Sequence, residues 1–271
     1  MKIAAFYENL AEGCAASGVS PEKALKDLQK DGLSLLYLSP ESWEKDGDRL
    51  RPLLEETGIG IEGLHAVCDF TKDPDSSRYR EVIDLAASLH AGNVLLIPGF
   101  LTTGNTLGAI RSMTEGMRRA ARFGEEKGIP VLMEDYDGLL APFNSIAGLG
   151  YFLREIPSLG CAFDTGNFCM FHEDELLAFG EFADRIRTVH LKDRSRTPFY
   201  PGDGFKVASD LEKVYPAPVG YGYIRIAEIL DRLRKRGYPG NVIVEHYDVD
   251  PREMLGAISL SVRWVRSRLG E

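Results

Sequence analysis

A chain of 271 residues with 44% hydrophobic and 27% charged side chains can bury a large core, as one large domain or two small ones. Its formal charge of −9 opposes binding to nucleic-acid phosphate, yet leaves room for a small phosphorylated molecule held by a few local cations. The ordinary composition, with only four cysteines, excludes disordered, collagenous and disulfide-scaffold classes, and no apolar run nears the roughly 20 residues of a membrane helix. The four cysteines, Cys14, Cys68, Cys161 and Cys169, lack C-x-x-C spacing and read as reduced thiols of a cytoplasmic protein. The opening MKIAAFYENLAEG meets Glu8 and Asn9 too early for a signal peptide.

Short apolar runs alternate with amphipathic stretches along the whole chain. The first run, 2–7, is followed by Ser20-Pro21-Glu22, a serine N-cap with proline at the first helical position. Runs at 33–39 and 60–67 come next. Segment 76–91 then sets Tyr79, Val82, Ile83, Leu85, Ala86 and Leu89 at helical spacing. A run at 93–99 precedes a long helix over 105–127, which stops at Lys127-Gly128. Three further runs, 129–136, 159–167 and 186–193, lead into an irregular stretch at 194–220, whose length suggests function. A helix over 224–236 ends in Arg234-Lys235-Arg236, cations suited to the negative end of the helix dipole. The last run is 240–247, and Asp250-Pro251 is expected to cap the final helix. The runs are continuous rather than alternating, as in parallel strands covered on both faces. Strand then helix, repeated eight times in this length, predicts an α/β fold: a (β/α)8 TIM barrel as a single domain over 1–271. A doubly wound open sheet is the alternative.

Several runs end in ionisable residues. Val131-Leu132-Met133 leads to Glu134, Cys161-Ala162-Phe163 to Asp164, Thr188-Val189 to His190, and Val242-Ile243-Val244 to Glu245. The carboxyl ends of barrel strands carry the active site. Four such groups there cost desolvation energy unless something offsets it, and one shared divalent cation would do so. Oxygen-rich ligation with one nitrogen favours Mn²⁺ or Mg²⁺ and admits Co²⁺ or Zn²⁺. The bland alternative for each residue alone is a helix cap or a salt-bridge partner.

Glu134 in VLMED, Asp164 in FDTGN, His190 in VHLKD and Glu245 in VIVEH resemble the four metal ligands of the xylose isomerase-like TIM barrel superfamily. Gly220-Tyr221-Gly222-Tyr223-Ile224 resembles that group's G-x-G-x-hydrophobic loop. The resemblance implies a divalent-metal-dependent isomerase or epimerase of sugars or sugar phosphates, with Glu134 and Glu245 as the acid/base pair and an enediolate between them. It also leaves open an inosose dehydratase-like lyase on the same site, or a non-catalytic sugar-binding barrel. Endonuclease IV relatives are disfavoured by the acidic charge and the five histidines. Where the ketose 3-epimerase branch has a substrate histidine, three residues after the metal aspartate, this chain has Asn167. Leu140 stands where that branch has a second glutamate, whereas Arg196 matches its arginine. The VHLKD form is similar to the wider sugar-phosphate group.

The implied partner is a small sugar or sugar phosphate, with no nucleic acid and no membrane; such barrels often self-associate. Lys192 shares the inner face with His190 by strand alternation and would hold a substrate anion or pair with a ligand glutamate. His65, ending the third run, and Asn167 and Arg196 are further substrate-binding candidates. Arg194 belongs to the same irregular stretch. His246 should face outward. Phe6 and Tyr7 would wall the site or pack in the core, and Trp43 and Trp264 read as packing residues.

Overall fold

The computed structural model describes residues 1–102 and 104–270. Eight strands occupy the eight apolar runs: β1 (Ile3–Phe6), β2 (Leu33–Leu38), β3 (Gly60–Val67), β4 (Asn93–Ile97), β5 (Val131–Glu134), β6 (Gly160–Asp164), β7 (Ile186–Leu191) and, later in the chain, β11 (Val242–Val244). All pair in parallel, and Ile3 opposite Val242 closes them into a barrel in the order β1-β11-β7-β6-β5-β4-β3-β2. Closure excludes the open-sheet alternative.

Helices α1 (Tyr7–Ser17), α2 (Pro21–Asp31), α3 (Pro40–Thr57), α4 (Arg78–Ser88), α5 (Thr106–Lys127), α6 (Ile146–Glu155), α7 (Glu175–Phe182), α8 (Ile226–Lys235) and α9 (Met254–Leu269) accompany the strands. Their ends follow local chemistry. The Ser20 hydroxyl accepts from the Lys23 amide, with Pro21 opening α2. Asn105 caps α5, and Gly128 ends it at φ +70°. None is long and apolar enough to cross a membrane.

Among the described residues, the apolar interior of the barrel forms two layers, and a third small cluster, Met170, Ala208 and Val214, lies under a small outer sheet. The large layer lies between strands and helices. A small one, Ala4, Phe6, Leu35, Tyr37, Leu95, Leu132, Ala162 and Ile243, takes alternate residues from the strands and fills the barrel lumen. Two residues further along the same inward rows stand Glu134 after Leu132, Asp164 after Ala162, His190 after Thr188 and Glu245 after Ile243. Strand periodicity thus turns four distant residues toward one mouth.

Two expectations are corrected. The stretch 194–220 is not simply irregular: β8 (Asp193–Ser195), β9 (Lys206–Val207) and β10 (Lys213–Ala217) form an antiparallel sheet in the order β8-β10-β9. Asp250 does not cap the last helix. Its carboxylate accepts from the Arg252 amide, and a turn separates it from the start of α9 at Met254.

Asp193 holds this sheet to the barrel. It accepts from the amides of Gly220 and Gly222 at 2.9 Å, Ile224 at 3.2 Å and Arg194 at 2.9 Å. A Cβ at Gly222 would collide with the Arg194 carbonyl and the Asp193 carboxylate, so the close approach requires glycine there. Asp193→Ala strands these donors and should cost about 2–4 kcal/mol. Thermal unfolding should show Tm falling by about 5–15 °C; an unchanged Tm would mean that other contacts hold the loop.

Candidate metal centre and active site

Glu134, Asp164, His190 and Glu245 each present one ligand atom, and these atoms all lie within 4.8 Å of one another. All four residues are buried. His190 Nδ1 is 3.1 Å from both Glu134 Oε2 and Glu245 Oε2 without an aligned hydrogen bond to either. Among the described residues, Asp164 Oδ2, His190 Nδ1 and Glu245 Oε2 are buried with no hydrogen-bond partner. Such atoms are costly unless something bonds them. Here they converge from three strands on a common point. The other Asp164 oxygen accepts the Gly166 amide at 2.7 Å, which turns Oδ2 into the cluster. The set fits one divalent cation.

The electrostatics follow from confinement. Burial pushes the Asp164 carboxyl up to about 7, against the pull of Lys192. Burial disfavours charge on the His190 ring, but the two flanking glutamates outweigh it and raise that group to about 10. Burial also opposes the Glu245 carboxylate. Lys192 and His190 overcome this and hold it well below the usual carboxylate range.

Lys192 takes the second of the two roles its position suggested, pairing with a carboxylate of the cluster. Its ammonium pairs with Glu245 Oε1 and stands 3.2 Å from Asp164 Oδ2, and it also lines the cavity. Asn167 Oδ1 accepts from Lys192 Nζ at 2.9 Å, while its Nδ2 donates to the Asp135 carbonyl at 2.8 Å. The amide therefore orients the lysine, a role that needs both a donor and an acceptor. His65 reaches the cavity with Nε2 3.2 Å from Glu8 Oε2. Glu8 also accepts from the Ser39 amide at 2.8 Å and the Ser42 hydroxyl at 2.6 Å. Against its burial, these partners, His65 foremost, lower Glu8 to about 2.

Arg196 does not join the site. It is 71% exposed, pairs with Glu212 at 2.7 Å and lies over the Tyr223 ring. The chain has left the barrel by then, since β8 ends at Ser195 and carries Arg196 onto the outer sheet. There it borders a separate depression of about 320 Å³ beside His172 and Asp210. Arg194 turns inward instead, fully buried, and donates to Asp137 at 3.0 Å. Phe6 packs edge-on to His190 in the cavity wall, while Tyr7 turns away and donates to Asp46. His246 faces outward, bonded to Ser261 at 2.8 Å. Leu140 is exposed.

The cavity above the cluster measures about 240 Å³. Its wall includes Tyr136, Asp137, Lys206 and Tyr247, which the strand-end pattern did not single out. Asp137 had a sequence signal in the run Glu134-Asp135-Tyr136-Asp137, where acids continue past the strand. Lys206 had only its place in the long stretch after β7.

The molecule is a TIM barrel with a buried carboxylate–imidazole cluster, able to hold a metal, at the carboxyl ends of its strands, where such barrels carry their active sites. The chain belongs to the xylose isomerase-like TIM barrel family, whose model matches residues 23–268. No curated protein sequence matches it. Among solved structures, it is similar to the IolI protein, solved with a bound zinc atom, at 15% identity and TM-score 0.74, covering 100% of this chain and 98% of that one. It is also similar to a probable 3-DHS dehydratase, AsbF, from Bacillus anthracis, at 12% identity and TM-score 0.73, covering 98% of both chains. D-allulose 3-epimerase from Methylomonas sp. is similar at 17% identity and TM-score 0.70, covering 99% of this chain and 98% of that one. At these identities the likeness is one of fold.

Asp164→Ala should weaken Mn²⁺ binding by about a hundredfold or more, since a directly ligating oxygen outweighs the 10–100-fold typical of its supporting partners. Calorimetric titration checks this; undiminished affinity would remove Asp164 from the centre.

Proposed function

We propose that this protein is a divalent-metal-dependent isomerase or epimerase of sugars or sugar phosphates. The observation that carries the reading is the convergence of Glu134, Asp164, His190 and Glu245 within 4.8 Å, with Glu134 and Glu245 lining a cavity. These residues would hold the ion, with Mn²⁺ or Mg²⁺ suited to a site of mostly oxygen donors. When bound, it would supply a Lewis acid that acidifies the proton beside a carbonyl and offsets the charge of an enediolate.

The chain's own groups do the rest. An unaided carboxylate of ordinary pKa, near 4.3, is too weak a base for a proton α to a carbonyl. Burial excludes water from around Glu134 and Glu245 and strengthens every charge interaction there. Lys192 and His190 keep Glu245 ionised, as a base must be, but in lowering its pKa they also weaken it, which leaves the larger share of the proton's activation to the Lewis acid. Glu134 comes from β5 and Glu245 follows β11, so β6 and β7 separate them around the mouth. One removes the proton and the other returns it. Return to the opposite face of the same carbon epimerises; return to the neighbouring carbon isomerises. His65, fixed by Glu8, and Phe6 and Tyr247 offer a hydrogen-bonding and aromatic wall for a sugar ring.

The barrel it shares with a probable dehydratase supports a second reading, in which the same base starts an elimination. Exchange of a ketose α-proton with deuterated solvent, followed in Mn²⁺-loaded protein, tests the first. Glu245→Gln should lower it by about 10²–10⁴-fold. Unchanged exchange would remove Glu245 from the mechanism, and product lacking one water would move the assignment to the lyase.

A further inference from the structure

The cavity wall carries an ammonium that the proposed reaction does not use. Strand β9 holds Lys206 over the mouth, paired with β10 through Lys206 opposite Val214. The Gly204 amide ties the approach to the Asp248 carbonyl at 2.7 Å. Lys206 Nζ lies 2.6 Å from Asp137 Oδ2. That same oxygen accepts from Arg194 at 3.0 Å, and Lys192 Nζ stands 4.0 Å away. Three cations thus crowd one buried oxygen.

Their positions separate their roles. Arg194 is 1% exposed and Asp137 is 5% exposed, so these two form the permanent buried pair. Arg194 also faces Asp248 at 3.9 Å, but Asp248 is 28% exposed and solvent screens that contact. Lys192 pairs with Asp164 and Glu245, and three ligand carboxylates around a divalent ion leave one negative charge beside it. Lys206 shares Asp137 with Arg194, is one-third exposed and lines the cavity. An ammonium has three donors and Asp137 engages one, so Lys206 can offer the others to an anionic group in the cavity.

We propose that Lys206 determines substrate specificity by binding an anionic end group, carboxylate or phosphate, on the sugar. The acidic or phosphorylated ketose so defined rests on the proposed reading of the cavity as a sugar site. Lys206 also gives the β8-β10-β9 sheet a function, since it delivers a cation that the eight barrel strands do not supply.

The test uses three probes with one skeleton: D-fructose, D-fructuronate and D-fructose 6-phosphate. Calorimetry on the Mn²⁺-loaded protein compares their affinities in the wild type, Lys206→Met and Lys206→Arg. At least one anionic probe should bind about tenfold to a hundredfold tighter than D-fructose, the range expected of a charge-assisted hydrogen bond. Lys206→Met should remove that preference, and Lys206→Arg should restore most of it. A preference for D-fructuronate assigns a carboxylate, and one for D-fructose 6-phosphate assigns a phosphate. No preference, no binding of either anion, or a preference untouched by Lys206→Met overturns the proposal. Solvent exchange of the α-proton is followed alongside. Anion-selective binding without exchange from any probe would overturn the proposed reaction and leave the anion site standing. Exchange with no dependence on Lys206 would do the reverse.

Discussion

The structure depends on one electrostatic constraint. Glu134, Asp164 and Glu245 are held, with His190, at the top of a packed lumen where little water reaches them. Mutual repulsion and desolvation both oppose that arrangement. Strand geometry nevertheless enforces it, because each carboxylate sits two residues beyond an apolar lumen residue, and His190 two beyond Thr188, on the same inward row. The barrel therefore concentrates carboxylates at a single point; Lys192 offsets part of their charge, and a bound divalent cation would offset the rest.

Around that point the chain supplies a graded set of partners. Lys192 touches two of the carboxylates and is itself oriented by Asn167. Asn167 leans on the Asp135 carbonyl, and Arg194 reaches the Gly166 carbonyl and Asp137. Polar groups of this kind rigidify a site when each has its partner. Asp193 extends the same logic outward, satisfying four amides and pinning the small sheet against the mouth. The consequence is a cavity whose floor is suited to a metal and whose roof brings in a lysine.

The eight strands were legible because each is an apolar run covered on both faces, a pattern that survives without any knowledge of neighbours. The strand-end acids and His190 were legible for a related reason: an ionisable residue directly after such a run stands out. Arg196 shows the limit. Its position six residues after His190 matched a motif, but β8 ends one residue earlier and the side chain leaves for Glu212 and the Tyr223 ring. Asp250 shows another, since Asp-Pro can begin either a turn or a helix, and here tertiary bonding to Asp203 favoured the turn. Lys206 and Glu8 carried no local pattern, because their roles arise from contacts with residues far away in the chain.

The sequence by itself determined the succession of strands and helices, the inward rows and the residue types at their ends, all of which are set by period, capping and hydrophobicity over a few residues. Only the tertiary structure decided that four of those ends share one point, that Asn167 serves Lys192, that Arg194 rather than Arg196 turns inward, and that Lys206 overhangs the mouth. Those outcomes depend on barrel closure and on a small sheet that pairs residues as far apart as Asp193 and Ala217, distances over which local propensity carries no information.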